Sequence, residues 1–112
     1  MEPVYDEIDA LDRRAKLEQF AEECGELAQA CLKLIRAEGN GNPCRISKNE
    51  AMQQVIEEIA DLYLAIDTII YDLGKEHALS AIFNTIQSTY DLKKERWIEE
   101  IKNAKKGEGD DD

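Results

Sequence analysis

Glu23/Glu26 and Glu58/Asp61 are each spaced i,i+3, which puts both carboxylates of a pair on one face of a helix. Two such faces brought together would surround a divalent cation with hard oxygen ligands. Spacing alone does not single these pairs out. With 25 acidic residues in 112, chance places about five i,i+3 acidic pairs, and five occur: Asp6/Asp9, Asp9/Asp12, Glu23/Glu26, Glu58/Asp61 and Glu108/Asp111. What sets two of them apart is context: they sit inside long apolar-periodic stretches and enclose the small residues Gly25 and Ala60. A glycine inside a helix costs about 0.5–1 kcal/mol relative to alanine, so Gly25 predicts close approach of another backbone or a ligand. Four carboxylates facing one cleft would repel one another unless a cation such as Mg²⁺ sat among them. From spacing and charge alone, the same acids also fit the solvated flanks of an acidic protein.

The elements that must position these residues are helices. Leu17, Phe20, Cys24, Leu27, Cys31 and Leu34 recur at gaps of 3 and 4, the spacing of one face of an amphipathic helix, and predict a helix from near Asp9 to Ala37. Glu38-Gly39-Asn40-Gly41-Asn42-Pro43 then breaks it, with residues that tolerate positive φ or turn readily and a proline that cannot continue a helix. Ser47 and Glu50 form an S-x-x-E capping box that starts a second helix. Val55, Ile59, Leu62, Ile66, Ile69 and Leu73 run along it, and Gly74 is placed as a left-handed cap. A second stripe, Ile56, Ala60, Tyr63, Leu64, Ile70 and Tyr71, makes this helix apolar around much of its circumference, as expected of a helix with several neighbours. A third helical stretch is expected from about Glu76 to Lys105, using Leu79, Ile82, Phe83, Ile86, Tyr90, Trp97 and Ile101, with Ser88-Thr89 as the place for a bend. No alternating β-pattern competes. The expected fold is therefore all-α, an antiparallel bundle of three to four helices completed by homo-oligomerisation across the second stripe. It would be one domain over residues 1–106, with an acidic tail, 107–112, too polar to order.

Composition excludes several function classes. Fourteen basic against 25 acidic residues leave a net charge of −11, which argues against nucleic-acid binding, since that needs a basic footprint on phosphate. No run of about 18–20 apolar residues supports a membrane span, and the acids after Met1 are wrong for a signal peptide, so a cytoplasmic location is expected. Three cysteines cannot all pair, and Cys24 and Cys31 stand about 10 Å apart along a helix axis. Cys24, Cys31, Cys44 and the sole histidine, His77, lack the spacing of a zinc site. There is no G-x-x-x-x-G-K-[ST] phosphate loop, and no E-x-x-H motif for a di-iron bundle.

Glu22-Glu23-Cys24-Gly25-Glu26-Leu27 followed by Glu57-Glu58-Ile59-Ala60-Asp61-Leu62 resembles the paired E-E-x-x-E and E-x-x-D motifs of the MazG-like all-α nucleoside triphosphate pyrophosphohydrolases. The similarity covers roughly residues 15 to 100. It implies Mg²⁺-dependent hydrolysis, with Mn²⁺ as a substitute, of a nucleoside triphosphate between its α and β phosphates, giving a monophosphate and pyrophosphate in the service of nucleotide-pool housecleaning. By the same resemblance Glu23, Glu26, Glu58 and Asp61 fall at the metal ligands, and Glu22 at a neighbouring acid that orients a ligand or the attacking water. Mg²⁺ would neutralise a triphosphate that an acidic cleft otherwise repels and lower the pKa of a bound water. A carboxylate not fully engaged with metal would serve as base. The family's later helix contributes basic residues toward the phosphates, and Lys93, Lys94 and Arg96 are the candidates here; Asn84, as a polar contact, and Trp97, as a base-stacking ring, are weaker ones. The interval from Glu26 to Glu58 is a little long for the family, with the excess in the loop from Gly39 to Ile46. The expected partners are the nucleotide and copies of the chain itself, as a homodimer or dimer of dimers.

A second class remains open from sequence: a non-catalytic dimeric helical module whose acidic face binds a basic partner or keeps it soluble.

Overall fold

A computed structural model describes residues 6–39 and 45–110. Their regular structure is entirely helical: α1, Asp6–Asp9; α2, Arg13–Ala37; α3, Lys48–Leu73; and α4, Leu79–Asp110. No described helix is long and apolar enough to cross a membrane. The chain divides into two compact units, Met1–Glu76 and His77–Asp112.

In the first unit the long helix expected from Asp9 is broken before it starts. Asp12 adopts an extended conformation and its carboxylate accepts from the Ala15 N–H at 2.8 Å. This short polar side chain satisfies an otherwise orphaned amide and so sets the start of α2. At the other end Gly39 takes a positive φ of 92°, the conformation that glycine supplies without a Cβ clash. The rest of the expected break, including Pro43 and Cys44, lies outside the described residues. Ser47 caps α3 as the sequence predicts, its hydroxyl accepting from the Glu50 N–H at 3.1 Å. Gly74 does end α3, but in the right-handed region, φ −64° and ψ −14°, not as a left-handed cap. The chain instead tightens into a turn, with the Lys75 N–H on the Asp72 carbonyl and the Glu76 N–H on that of Leu73.

The start of α2 meets the end of α3, through Arg13 and Lys16 on Asp72, and the end of α2 meets the start of α3, through Lys48 on Glu38. The two helices therefore run side by side in opposite directions. The line along which they bury each other is Lys16, Glu23 and Ala30 on α2 with Ala51, Ala65, Thr68 and Asp72 on α3. Its residues are spaced by seven on α2 and by fourteen, three and four on α3, and every seven residues return to nearly the same azimuth after two turns. The leucine stripe expected to be buried is displaced from it: Leu17, Cys24 and Cys31 are exposed, and Phe20, Leu27 and Leu34 are half-buried. On α3, Val55, Leu62, Ile66, Ile69 and Leu73 are half-buried, while Ile56, Tyr63 and Leu64 of the second stripe are exposed. Among the described residues the buried apolar side chains are all alanines, Ala30, Ala51 and Ala65.

A charged cluster fixes the end of this pair. Lys16 Nζ, its side chain only 1% exposed, donates to Asp72 Oδ1 at 3.1 Å and to the Asp9 carbonyl at 3.0 Å. Arg13 bonds Asp72 Oδ2 at 2.7 Å and Glu76 Oε1 at 2.8 Å, and Lys75 pairs with Asp9 Oδ1 at 3.0 Å. Asp9 thereby ties α1 across the helix pair.

In the second unit α4 starts three residues later than expected and runs without interruption across Ser88-Thr89, where the Ser88 hydroxyl donates back to the Thr85 carbonyl. The residues after Lys106, read from composition as an unstructured tail, continue the helix to Asp110. Within this unit Phe83, Ile86, Tyr90, Trp97 and Ile101 are all exposed.

Candidate metal centre

Glu23 and Glu26 lie one turn apart midway along α2, and Glu58 and Asp61 one turn apart midway along α3. The opposite directions of the helices bring the two middles together. One carboxylate oxygen from each of the four lies within 4.8 Å of every other. Glu23 is buried, Glu58 half-buried, and Glu26 and Asp61 exposed, so the cluster grades from the helix interface outward to solvent.

Its hydrogen bonding is incomplete. Glu23 Oε1 accepts from the Gln19 side-chain amide at 2.6 Å. Glu23 Oε2 and Glu58 Oε2 are buried without a partner. Among the described residues no lysine or arginine forms an ion pair with any of the four. Burial pushes the Glu23 carboxyl above its ordinary range, and the neighbouring Glu26 and then Asp61 charges push it further; the Gln19 hydrogen bond acts in the opposite sense. A buried carboxylate oxygen with no donor is costly, and like charges this close add to the cost.

Such a donor set suits a hard cation. Oxygens bound to one Mg²⁺ at about 2.1 Å can stand at most about 4.2 Å apart, and Mn²⁺-sized or larger ions accept somewhat more, so oxygens within 4.8 Å need only a small inward shift. The unpartnered oxygens of Glu23 and Glu58 are the atoms such an ion would satisfy.

Of the other sequence candidates, Glu22 is exposed on α2 and is not among the four grouped oxygens. Lys93, Lys94 and Arg96 are exposed on α4, in the unit separate from the carboxylates. Asn84 is also exposed on α4. At Gly25 a Cβ would meet nothing within 4 Å, so no close backbone approach among the described residues requires it.

Sequence reasoning missed Gln19. The available signal was its position four residues before Glu23, where a helix brings an amide onto a carboxylate. It also missed a cavity of about 360 Å³ that reaches the cluster, with Glu23 and Asp61 in its wall.

Comparison of the chain with models of known protein families, with curated proteins and with solved structures finds no match.

Proposed function

We propose that the chain is a Mg²⁺-dependent nucleoside triphosphate pyrophosphohydrolase acting as a homo-oligomer. The observation that carries this reading is the convergence of Glu23, Glu26, Glu58 and Asp61 within 4.8 Å, with two buried carboxylate oxygens left without partners. The resemblance of the segments around these acids to the MazG-like motifs supports it from a separate direction.

In this reading Glu23, Glu26, Glu58 and Asp61 hold the cation, with Mn²⁺ as an alternative to Mg²⁺. When bound, the cation supplies charge neutralisation for the polyphosphate and Lewis-acid polarisation of its oxygens. The chain's own residues do the rest. The helix pair fixes the four carboxylates relative to one another, and Gln19 holds one oxygen of Glu23 so that the other is presented to the site. Glu22, the acid beside the group, or Glu23 within it accepts a proton from the attacking water. Attack at the α phosphorus breaks its bond to the bridging oxygen toward the β phosphorus; pyrophosphate leaves and the nucleoside monophosphate keeps the water oxygen. By the same resemblance Lys93, Lys94 and Arg96 are the basic residues assigned to the departing phosphates.

The test is an anion-exchange product assay on purified protein with each NTP and dNTP plus Mg²⁺, with Asp61→Asn as control. Monophosphate and pyrophosphate from wild type and none from the variant is the expected result. Release of single phosphate contradicts α–β cleavage. Absence of turnover, with no Mg²⁺-induced rise in Tm, leaves the non-catalytic helical module as the better account.

A further inference from the structure

The cavity of about 360 Å³ lies within the first unit, and its two ends differ chemically. At one end are Glu23 and Asp61 of the carboxylate group. At the other are Ile8 and Leu11, brought over the helix pair by the α1 segment, which the Asp9 carbonyl bonded to Lys16 and the Asp9 carboxylate paired with Lys75 hold in place. Leu64 and Ala65 of α3 complete apolar walls. The volume falls within the range of small-molecule sites, and a mostly apolar lining with a few fixed polar groups is their usual chemistry.

Two polar groups interrupt the walls, and both have hydrogen-bonding capacity left. Thr68 donates its hydroxyl proton to the Leu64 carbonyl at 2.9 Å, which leaves its oxygen as an acceptor. Gln19 spends one amide N–H on Glu23 Oε1, which leaves its carbonyl and its second N–H. The cavity thus offers apolar faces together with both donors and acceptors. That combination fits a flat, neutral, heteroaromatic ring whose edge carries N–H and C=O groups, and it does not fit a phosphate, which the adjoining carboxylates would repel. Lys16 also borders the cavity, but its protons are directed to Asp9 and Asp72.

Gln19 joins the two ends. Its amide is fixed to a carboxylate of the metal centre on one side and borders the cavity on the other. A ring that bonds the free edge of Gln19 therefore restrains the same side chain that orients Glu23.

We infer that this cavity takes the nucleobase half of a nucleotide and that Gln19 is a positioning residue through which base occupancy is transmitted to the cation site. This rests on the reading of Glu23, Glu26, Glu58 and Asp61 as metal ligands. Coupling of this kind is reciprocal: whatever factor the base adds to cation affinity, the cation adds to base affinity.

Unphosphorylated nucleosides separate this inference from catalysis, because they carry no phosphate for the metal to hold. Mn²⁺ affinity of the full chain is measured by titration calorimetry, alone and with saturating adenosine, guanosine, cytidine, uridine or thymidine. At least one nucleoside should tighten Mn²⁺ binding about fivefold or more. Gln19→Met should abolish that factor while nucleoside binding persists. Ala65→Phe, which fills the cavity, should remove nucleoside binding and leave the Mn²⁺ Kd within about twofold. Thr68→Val, nearly isosteric, should weaken nucleoside binding without altering Mn²⁺ affinity, and it serves if Ala65→Phe does not fold. Coupling that survives Gln19→Met, nucleoside binding indifferent to both cavity variants, or no nucleoside binding at all overturns the inference. Coupled binding without turnover of any NTP or dNTP overturns the proposed reaction and leaves the inference standing; absence of Mn²⁺ binding overturns both.

Discussion

Lys16 and Asp72 form an ion pair at 3.1 Å at one end of the helix pair, with the lysine side chain 1% and the aspartate side chain 12% exposed. Arg13 shares the same carboxylate, so Asp72 is the common acceptor that closes the end of the unit. Removing it leaves the buried Lys16 ammonium only the Asp9 carbonyl at 3.0 Å and the Asp9 carboxylate at 3.6 Å, and breaking a buried pair from one side costs up to about 3–5 kcal/mol. Asp72→Ala is expected to lower unfolding free energy by that amount in urea titrations. Lys16→Met should cost distinctly less, because Asp72 keeps Arg13 while the methionine fills the space. Equal losses for the two variants would count against the asymmetry.

The pH dependence of stability should carry two opposing contributions. The Arg13 hydrogen bond, followed by Lys16, holds the Asp72 carboxyl below its ordinary value of 3.8. Between that value and the lower folded one the unfolded chain binds more protons. The Asp72 contribution is therefore complete above about pH 3.8 and lost as pH falls through the folded value. Glu23 has the reverse sign. Its carboxyl is raised above 4.5, first by burial and then by Glu26, so the folded chain binds the proton more tightly. The resulting penalty is absent below pH 4.5 and grows as pH rises through the folded value. In EDTA, Glu23→Gln should be more stable than wild type above this range and no different well below it. Saturating Mn²⁺ at neutral pH should reverse the order, because only wild type gains binding free energy. Melting curves across pH 3–8, with and without Mn²⁺, check both signs.

The local signals legible in the sequence were those in which one residue satisfies a backbone requirement. Ser47 with Glu50 starts α3 where the capping pattern predicts, and Gly39 takes a positive φ at the end of α2. The carboxylate pairs were legible too, since i,i+3 spacing is enough to place two acids on one helix face and both faces meet. The azimuth of contact was not. The buried line Lys16, Glu23, Ala30 is offset by one residue, about 100° around the helix, from Leu17, Cys24, Cys31. Apolar periodicity reports all the surface a helix can bury, against any neighbour, whereas the contact with α3 runs along small and charged side chains whose pairing depends on residues far along the chain, 56 positions away for Lys16 and Asp72. The early break at Asp12 was hidden for a related reason. An aspartate inside an apolar-periodic run reads as a tolerated surface residue until its carboxylate is seen on the Ala15 amide.

Gly25 gives a direct measure of whether anything approaches α2 between Glu23 and Glu26. The space beside it is open in the single chain, and alanine in an exposed helix interior is favoured over glycine by about 0.5–1 kcal/mol. Gly25→Ala is therefore expected to raise the unfolding free energy of the metal-free protein by that amount, measured by urea denaturation. A loss instead would reveal a neighbour that the single chain does not contain.

The last prediction concerns the apolar surface left on α3. Met52, Ile56, Ile59 and Tyr63 recur at gaps of 4, 3 and 4 and are all exposed, Tyr63 at 67% and Ile56 at 56%. Contiguous apolar stripes of this kind mark association surfaces on water-soluble chains. Among the described residues of the first unit no apolar side chain larger than alanine is buried, so a second apolar surface would supply burial that the α2–α3 pair lacks. A copy of the same chain is the occupant proposed above, and a twofold axis along α3 would set the stripe against itself. Wild type is then expected to sediment with the mass of two or four chains and to show a Tm that rises with protein concentration. Ile56→Glu places a charge in the middle of the stripe and should shift the mass toward one chain and lower Tm. Asp61→Asn, on the carboxylate face, should leave the mass unchanged. A wild type that is monomeric at all concentrations removes the homo-oligomer from the proposed function and leaves the stripe to a different partner.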